Sequence, residues 1–373
     1  MAAPNPSHPP IPVLDLSQNF SSSDRSSLLT QLQDALFHTG FLYINNHGVN
    51  ESTINNLVDK LPLLFDLPPE LKNGLSKMNS PHFLGYSGYA EETTLGKKDL
   101  REQWDFGSDV PAIWNCRAIH PEAKGIDNYE RLYWRLRGPN QWPPEDWISG
   151  FRDAYMKYHA EIQDLSYRFV HLVEEALGIP VGTFDSFWKG EMQPQHRIKL
   201  IKYPPRSPIA KDEKEEQGVG AHKDSSGWLT FLYQVGKEEG LEVLGSDGKW
   251  IEAPPVPGTF VVNFGNAFEA ATEGAVKATV HRVKARSPTS SPRYSIPFFQ
   301  GLPLDMTVSE IRSYIPQFVR NLRAHGKATD GVSAFLDSRW DSLGESQLRK
   351  WLRSHEDVGR KWYGNKVVEY YLQ

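Results

Sequence analysis

The chain has 373 residues, a 39% apolar fraction, a formal charge of -5 and one cysteine, Cys116, values expected of a compactly folding globular protein. Acids and bases are interspersed, which leaves no stripe for nucleic acid or an anionic membrane and makes a small molecule the expected partner. A lone cysteine excludes an internal disulfide and a cysteine-based zinc site, and fits a reducing compartment.

The opening stretch, MAAPNPSHPPIPVLDLS, has neither the basic start nor the apolar run of a secretory signal. No apolar run of about 18 residues occurs anywhere, so a cytoplasmic chain without a membrane partner is expected. IPVLDL alternates as a short strand. From Ser26 to Phe37 the apolar residues Leu28, Leu29, Leu32, Ala35 and Leu36 fall at helical spacing, with Gly40 placed to stop the helix. GFLYINNHGV reads as a buried strand and a turn, where His47 is a structural histidine rather than a ligand. Residues 80 to 145, crowded with Gly, Pro, Trp and Tyr, read as a functional loop or lid. Apolar residues then step by three or four from Phe151 to Leu177, predicting a long amphipathic helix ended by Gly178 and Pro180. His159 and His171 lie on it without paired acids and read as ordinary helix residues. Beyond Gln195 come strand-like segments: HRIKLIKY, GWLTFLYQV, LEVL, KWIEA, TFVVNF, KATVHRV and RYSIPFF, parted by turn signals such as GSDG and PVPG. From Val308 the pattern is helical again. Short strands in series, flanked by helices, predict a mixed α and β protein with a barrel or jelly-roll core.

Within the strand region, His222 and Asp224 are two residues apart, a spacing that puts both side chains on one face of a strand. The pair suits a metal but needs a third ligand. His281 lies 59 positions later on another strand-like segment, where its bland reading is a capped strand histidine. Two imidazoles and a carboxylate on one face of a metal form the facial triad of non-haem Fe(II) oxygenases, with open positions for cosubstrate and oxygen. Twelve residues after His281, Arg293 and Ser295 again share a strand face. A guanidinium beside a hydroxyl suits a carboxylate, and the bland alternative is a surface salt bridge.

The ordered set His222-x-Asp224, His281 and Arg293-x-Ser295, with KYPP before it and PGTFVVNFGN within it, resembles the Fe(II)- and 2-oxoglutarate-dependent dioxygenase superfamily in its isopenicillin N synthase-like branch. The resemblance runs nearly end to end. It implies a double-stranded β-helix, or jelly-roll, core flanked by helices. It further implies a flexible tail over 1–10, an N-terminal region with a substrate loop over 11–150, a long helix and catalytic core over 151–306, and C-terminal helices packed on the core over 307–373, all in one compact monomer. His222, Asp224 and His281 would hold Fe(II), and Arg293 and Ser295 the far carboxylate of 2-oxoglutarate, with a hydrogen bond from Tyr203. Oxygen is the second cosubstrate and ascorbate an auxiliary reductant. Two positions depart from the family pattern: Ile201 stands where Asn is common, and Asn266 where Asp is usual. The implied reaction oxidises a C–H bond of a small molecule by hydroxylation or desaturation, in secondary-metabolite tailoring, with release of succinate and carbon dioxide.

The stretch GYSGYAEETTLGKKDLREQWDF resembles one that passes close to the active site in fungal and bacterial members, which nominates Tyr86, Tyr89, Gln103, Trp104 and Phe106 for the substrate pocket. Packing on the barrel for stability is the alternative. Arg197 and Lys199 alternate on the strand leading to Tyr203 and could meet an acidic substrate, against the simpler reading of a solvated strand face. Three competing readings stay open: an Fe(II) oxidase independent of 2-oxoglutarate, a catalytically silent binding protein on the same scaffold, and a metal-dependent hydrolase.

Overall fold

The computed structural model describes residues 11–17, 22–94, 96–113, 131–189, 194–205, 217–224, 227–322 and 342–373. The expected N-terminal tail, Cys116 and residues 114–130 of the expected loop lie outside them.

In chain order the N-terminal part carries β1 (Val13–Asp15), α1 (Ser22–Asp34), β2 (Phe41–Asn45), α2 (Glu51–Val58), α3 (Leu61–Phe65) and α4 (Pro69–Gly74). Four strands follow: β3 (Gly85–Ser87), β4 (Thr93–Thr94), β5 (Lys97–Lys98) and β6 (Glu102–Gly107). Then come α5 (Phe151–Ala176), α6 (Ser186–Lys189), β7 (Arg197–Tyr203), β8 (Gln217–His222), β9 (Leu229–Val235), β10 (Leu241–Leu244), β11 (Trp250–Glu252), β12 (Phe260–Phe264) and α7 (Asn266–Ala271). The chain closes with β13 (His281–Lys284), β14 (Arg293–Phe299), α8 (Val308–Ser313), α9 (Gln317–Arg320), α10 (Leu343–Ser354), α11 (Glu356–Tyr363) and α12 (Asn365–Leu372).

The strands form an eight-stranded sheet in the order β1-β2-β12-β9-β14-β7-β6-β3 and a four-stranded sheet in the order β11-β10-β13-β8, with β4 and β5 as a separate hairpin. Between the sheets, Phe41, Tyr43, Ile201, Tyr203 and Val261 of the large one pack against Val219, Leu241, Val243 and Val283 of the small one. The opposite face of the large sheet is covered by helices, chiefly α5. Alternation assigns each side chain to one layer: Leu42, Ile44, Ile198, Leu200, Val262, Ile296 and Phe298 enter the helix-covered core with Tyr158, Ile162 and Phe169 of α5. Both faces are therefore buried, which explains why these strands read as nearly unbroken apolar runs. The arrangement is the expected jelly roll with flanking helices.

Gly40 ends the turn after α1 with φ 63, and a Cβ there would lie 2.5 Å from the Lys277 carbonyl oxygen. No other residue fits that close approach. α5 matches the predicted long helix, and Gly178 beyond it is also left-handed, at φ 69.

The expectation of a continuous loop over 80–145 requires correction. Glu102–Gly107 is a strand in full register with β7, and Gly85–Ser87 pairs with it in turn. All six residues of EQWDFG are buried, and buried polar residues on its inward face erase the usual contrast between polar and apolar positions. His171 is corrected as well: its Nε2 lies 2.7 Å from Asp185 Oδ1, an acid contributed by the turn before α6. Among the described residues no helix is long and apolar enough to cross a membrane.

Candidate active site

β8 ends at His222 and β13 begins at His281, and the two are directly opposed partners in the antiparallel ladder. Their ring centroids are 4.3 Å apart. Asp224 lies two residues past the end of β8, so strand alternation alone does not aim it, in contrast to the sequence expectation. Its Oδ2 accepts hydrogen bonds from Thr230 Oγ1 and Asn263 Nδ2, each at 2.7 Å. The Asp224 carbonyl accepts the Asn266 N–H at 2.8 Å, a role for the first residue of α7 that any residue with a free N–H could fill. Oδ1 is left facing the imidazoles, 3.8 Å from His222 Nε2 and 3.7 Å from His281 Nε2.

The donor set fits a divalent metal. His222 Nδ1 is 2.7 Å from the Gly220 carbonyl and His281 Nδ1 is 3.2 Å from that of Thr279, which assigns the ring proton to Nδ1 and leaves Nε2 as a lone-pair donor. One ligand atom from each of the three residues lies within 4.8 Å of the other two. Burial, reinforced by neighbouring His281, pushes the His222 imidazole down to about 3, so it is neutral. Burial by itself would raise the Asp224 carboxyl, but the two imidazoles and the hydrogen bonds from Asn263 and Thr230 hold it down to about 2. Two imidazole nitrogens and one carboxylate, without a cysteine, form a hard-to-borderline set of the kind that Fe(II) uses.

The triad opens into a cavity of about 530 Å³ that also receives Arg293, Ser295 and Tyr203. Arg293 and Tyr203 are directly opposed across β14 and β7, with the guanidinium carbon 5.1 Å from the tyrosine ring centroid. Arg293 is 1% exposed. Its Nη2 donates to Gln234 Oε1 at 2.8 Å, while Nε and Nη1 are buried without a hydrogen-bond partner among the described residues. Burial lowers its pKa, yet a guanidinium stays charged over any working pH. A buried cation with unmet donors fits an anionic group such as a carboxylate.

The structure places the other nominated residues differently. Trp104 and Phe106 point into the helix-covered core, fully buried beside Tyr155 and Phe151. Tyr86 packs on Trp104, its hydroxyl donating to Glu102 at 2.7 Å, and Tyr89 is 46% exposed. Gln103 faces inward, but its amide donates to Glu92 and Asp105. None of these five lines the cavity among the described residues. Arg197 donates to the carbonyls of His82, Phe83 and Leu136 and stacks 4.6 Å from the Trp351 ring centroid, which explains it structurally. Lys199 does line the cavity; burial pulls it down to about 8 against the attraction of Asp105 and Glu92. His47 is structural, as expected, its Nδ1 accepting the Val49 N–H at 3.1 Å.

The stretch expected to pass close to the site does so, but through other residues than those nominated: Glu92, Thr93, Thr94, Gly96, Asp99 and Arg101 form one wall around the β4–β5 hairpin. Sequence reasoning missed the second wall, α10, which contributes Ser346, Arg349, Lys350 and Arg353. Helical spacing of Ser346, Lys350 and Arg353 was the available signal for the second.

Residues 11–145 match the family model described as non-haem dioxygenase in morphine synthesis N-terminal, and residues 191–301 match that of the 2OG-Fe(II) oxygenase superfamily. The 2-oxoglutarate-dependent dioxygenase frbJ of Dothideomycetidae sp. (strain 11243) is 37% identical, over 94% of this chain and 91% of its own. A 2-oxoglutarate-dependent dioxygenase of Gibberella zeae is 33% identical over 95% of this chain and 91% of its own. The crystal structure of a full-length Neurospora crassa protein in complex with alpha-KG superposes with a TM-score of 0.63 at 24% identity, covering 80% of this chain and 87% of that one.

Proposed function

The chain belongs to the 2OG-Fe(II) oxygenase superfamily, and from that premise we propose that His222, Asp224 and His281 hold Fe(II) while Arg293, Ser295 and Tyr203 hold the far carboxylate of 2-oxoglutarate. The protein is an Fe(II)- and 2-oxoglutarate-dependent dioxygenase acting on a small molecule. Bound at the triad, the metal supplies the redox chemistry that couples oxidative decarboxylation of 2-oxoglutarate by oxygen to oxidation of a substrate C–H bond.

What this chain's own residues do is position and exclude. Thr230 and Asn263 fix the Asp224 carboxylate, and the Gly220 and Thr279 carbonyls fix the imidazoles, so the ligand atoms converge without reorganisation. Arg293 orients the dicarboxylate through a fork of donors, and the apolar walls of the cavity keep water from the reacting bond. The single observation that carries the assignment is that a buried guanidinium with two unmet donors shares one cavity with the His/Asp/His set. A hydrolase has no use for that second feature. The proposed outcome is hydroxylation or desaturation in the tailoring of a secondary metabolite, which product mass separates: one oxygen gained, or two hydrogens lost.

The test is oxygen-dependent conversion of 2-oxoglutarate to succinate by the Fe(II)-loaded chain, with His222→Ala and Arg293→Gln as controls. Activity lost in both variants is expected. Succinate formation that persists in H222A would remove the metal assignment, and unchanged 2-oxoglutarate affinity in R293Q would remove the carboxylate assignment.

A further inference from the structure

α10 lays a stripe of polar side chains along the cavity: Ser346, Lys350 and Arg353 follow one another at i, i+4 and i+7 and therefore share a face. Elsewhere around the cavity charge is balanced. Three buried carboxylates, Glu92, Asp99 and Asp105, meet three cations: Lys77 reaches Glu92 and Asp105 at 2.7 and 2.6 Å, Arg101 reaches Glu92 and Asp99 at 2.9 and 3.5 Å, and Lys199 lies 3.7 and 3.8 Å from Glu92 and Asp105. Lys223 pairs with Glu269 at 3.0 Å. His355 Nε2 is 2.7 Å from Glu92 Oε1. Arg349 donates to the Tyr371 carbonyl.

That accounting leaves Lys350 and Arg353 over. Among the described residues neither forms an ion pair. The carboxylates that act on Lys350 from a distance are Asp224, Asp105 and Glu92, and each of them is already engaged. Arg353 is exposed and Lys350 half-buried; a lysine ammonium drawn partly out of water without an ion-pair partner is costly, and both cations share a cavity with the metal triad. We infer that Lys350 and Arg353 bind a carboxylate of the substrate, so that the oxidised small molecule is an organic acid held between α10 and the metal triad. The inference rests on the oxygenase reading above. A cationic substrate would face like charge on the α10 stripe, and the wall acids cannot answer it because their charge is matched by Lys77, Arg101 and Lys199.

The experiment measures succinate release by the Fe(II)- and 2-oxoglutarate-loaded full chain with medium-chain and aromatic monocarboxylic acids, each beside its primary amide and the corresponding amine. Acids are expected to stimulate turnover, with the amide raising KM by about 30-fold or more. Lys350→Met and Arg353→Met each erode that preference, and Lys350→Arg restores most of it. Ligand-free K350M melts no lower than the wild type, since it removes an unpaired charge, whereas a structural lysine would lower the melting temperature. Amides or amines as effective as acids, an acid preference that survives both methionine variants, or no stimulation by any acid despite intact Fe(II) and 2-oxoglutarate binding would overturn the inference. Failure of Fe(II) or 2-oxoglutarate to bind would instead overturn the oxygenase reading, and calorimetry with each distinguishes the two.

Discussion

His222 and His281 are one rung of the β8–β13 ladder, directly opposed with ring centroids 4.3 Å apart. A single register thus delivers two of the three donors, and a slip of one residue would turn one imidazole to the opposite face. The third donor is held by side chains from the other sheet, Thr230 of β9 and Asn263 of β12. The metal set therefore ties the two sheets of the jelly roll together.

That dependence predicts the effect of losing the supports while keeping all three donors. In Thr230→Val combined with Asn263→Leu, Asp224 Oδ2 has no partner and the carboxylate is free to turn. Metal affinity should fall by about 10- to 100-fold, read by calorimetric titration of the metal-free chain, with secondary structure unchanged by circular dichroism. An unaltered affinity would mean that the backbone bond from Asn266 suffices to aim Asp224.

Arg293 leads to a prediction about a conservative change. Lysine keeps the charge but not the planar fork, and in so buried a place it cannot bring water with it. Arg293→Lys should cost about 2 kcal/mol or more of 2-oxoglutarate binding, roughly a 30-fold rise in KM, with metal affinity retained. Comparable KM values for the two proteins would place the far carboxylate elsewhere.

Acid lability follows from two histidines remote from the site. His196 Nδ1 accepts the Gly301 N–H at 2.9 Å and its Nε2 meets the Tyr167 hydroxyl at 2.7 Å, an arrangement only the neutral ring can make. Burial, with His159 nearby, pushes His196 down to about 3, and burial pushes His159 down to about 4. Both folded values lie below the ordinary 6.5, so the unfolded chain takes up protons first. The stability these rings contribute is complete above that value and is lost as pH falls through it, toward about 4 for His159 and about 3 for His196, at up to about 1.4 kcal/mol per pH unit for each ring. His196→Gln can reproduce both hydrogen bonds without titrating. Urea midpoints measured from about pH 7 to about pH 5 should fall less steeply for H196Q; parallel slopes would assign acid lability to other groups.

The legible and the hidden parts of the molecule differ for a physical reason. His222, Asp224, His281, Arg293, Ser295 and Tyr203 stand out because polar residues interrupt apolar strand runs, and the structure brings all six around one cavity. α5 stands out because its periodicity is long and uninterrupted. β6 was hidden because Gln103 and Asp105 are buried against Lys77, Glu92 and each other, so that a strand looked like a polar loop. Its aromatics invited a pocket role, yet one step of alternation turns Trp104 and Phe106 to the helix-covered face. The contribution of α10 was hidden for another reason: a cationic helical stripe reads as a solvated surface until the tertiary fold shows what it covers.

Glu92 is where that hidden part can be tested for stability. Its carboxylate receives Lys77, Arg101 and His355 within 2.9 Å and lies 3.7 Å from Lys199; burial alone would raise its pKa, but these partners hold it well below the usual carboxylate range. It thereby fastens the stretch before β4 to the end of α10. Glu92→Gln keeps the shape and removes the charge, which leaves buried Lys77 and the half-buried Arg101 and Lys199 with too little compensation, a loss of about 3 to 5 kcal/mol by denaturant unfolding. Lys77, 2% exposed, competes for the remaining acid Asp105, so adding Lys77→Met to E92Q should recover part of that loss. Additive losses in the double variant would show that Lys77 and Glu92 stabilise the protein through packing rather than through their shared charge.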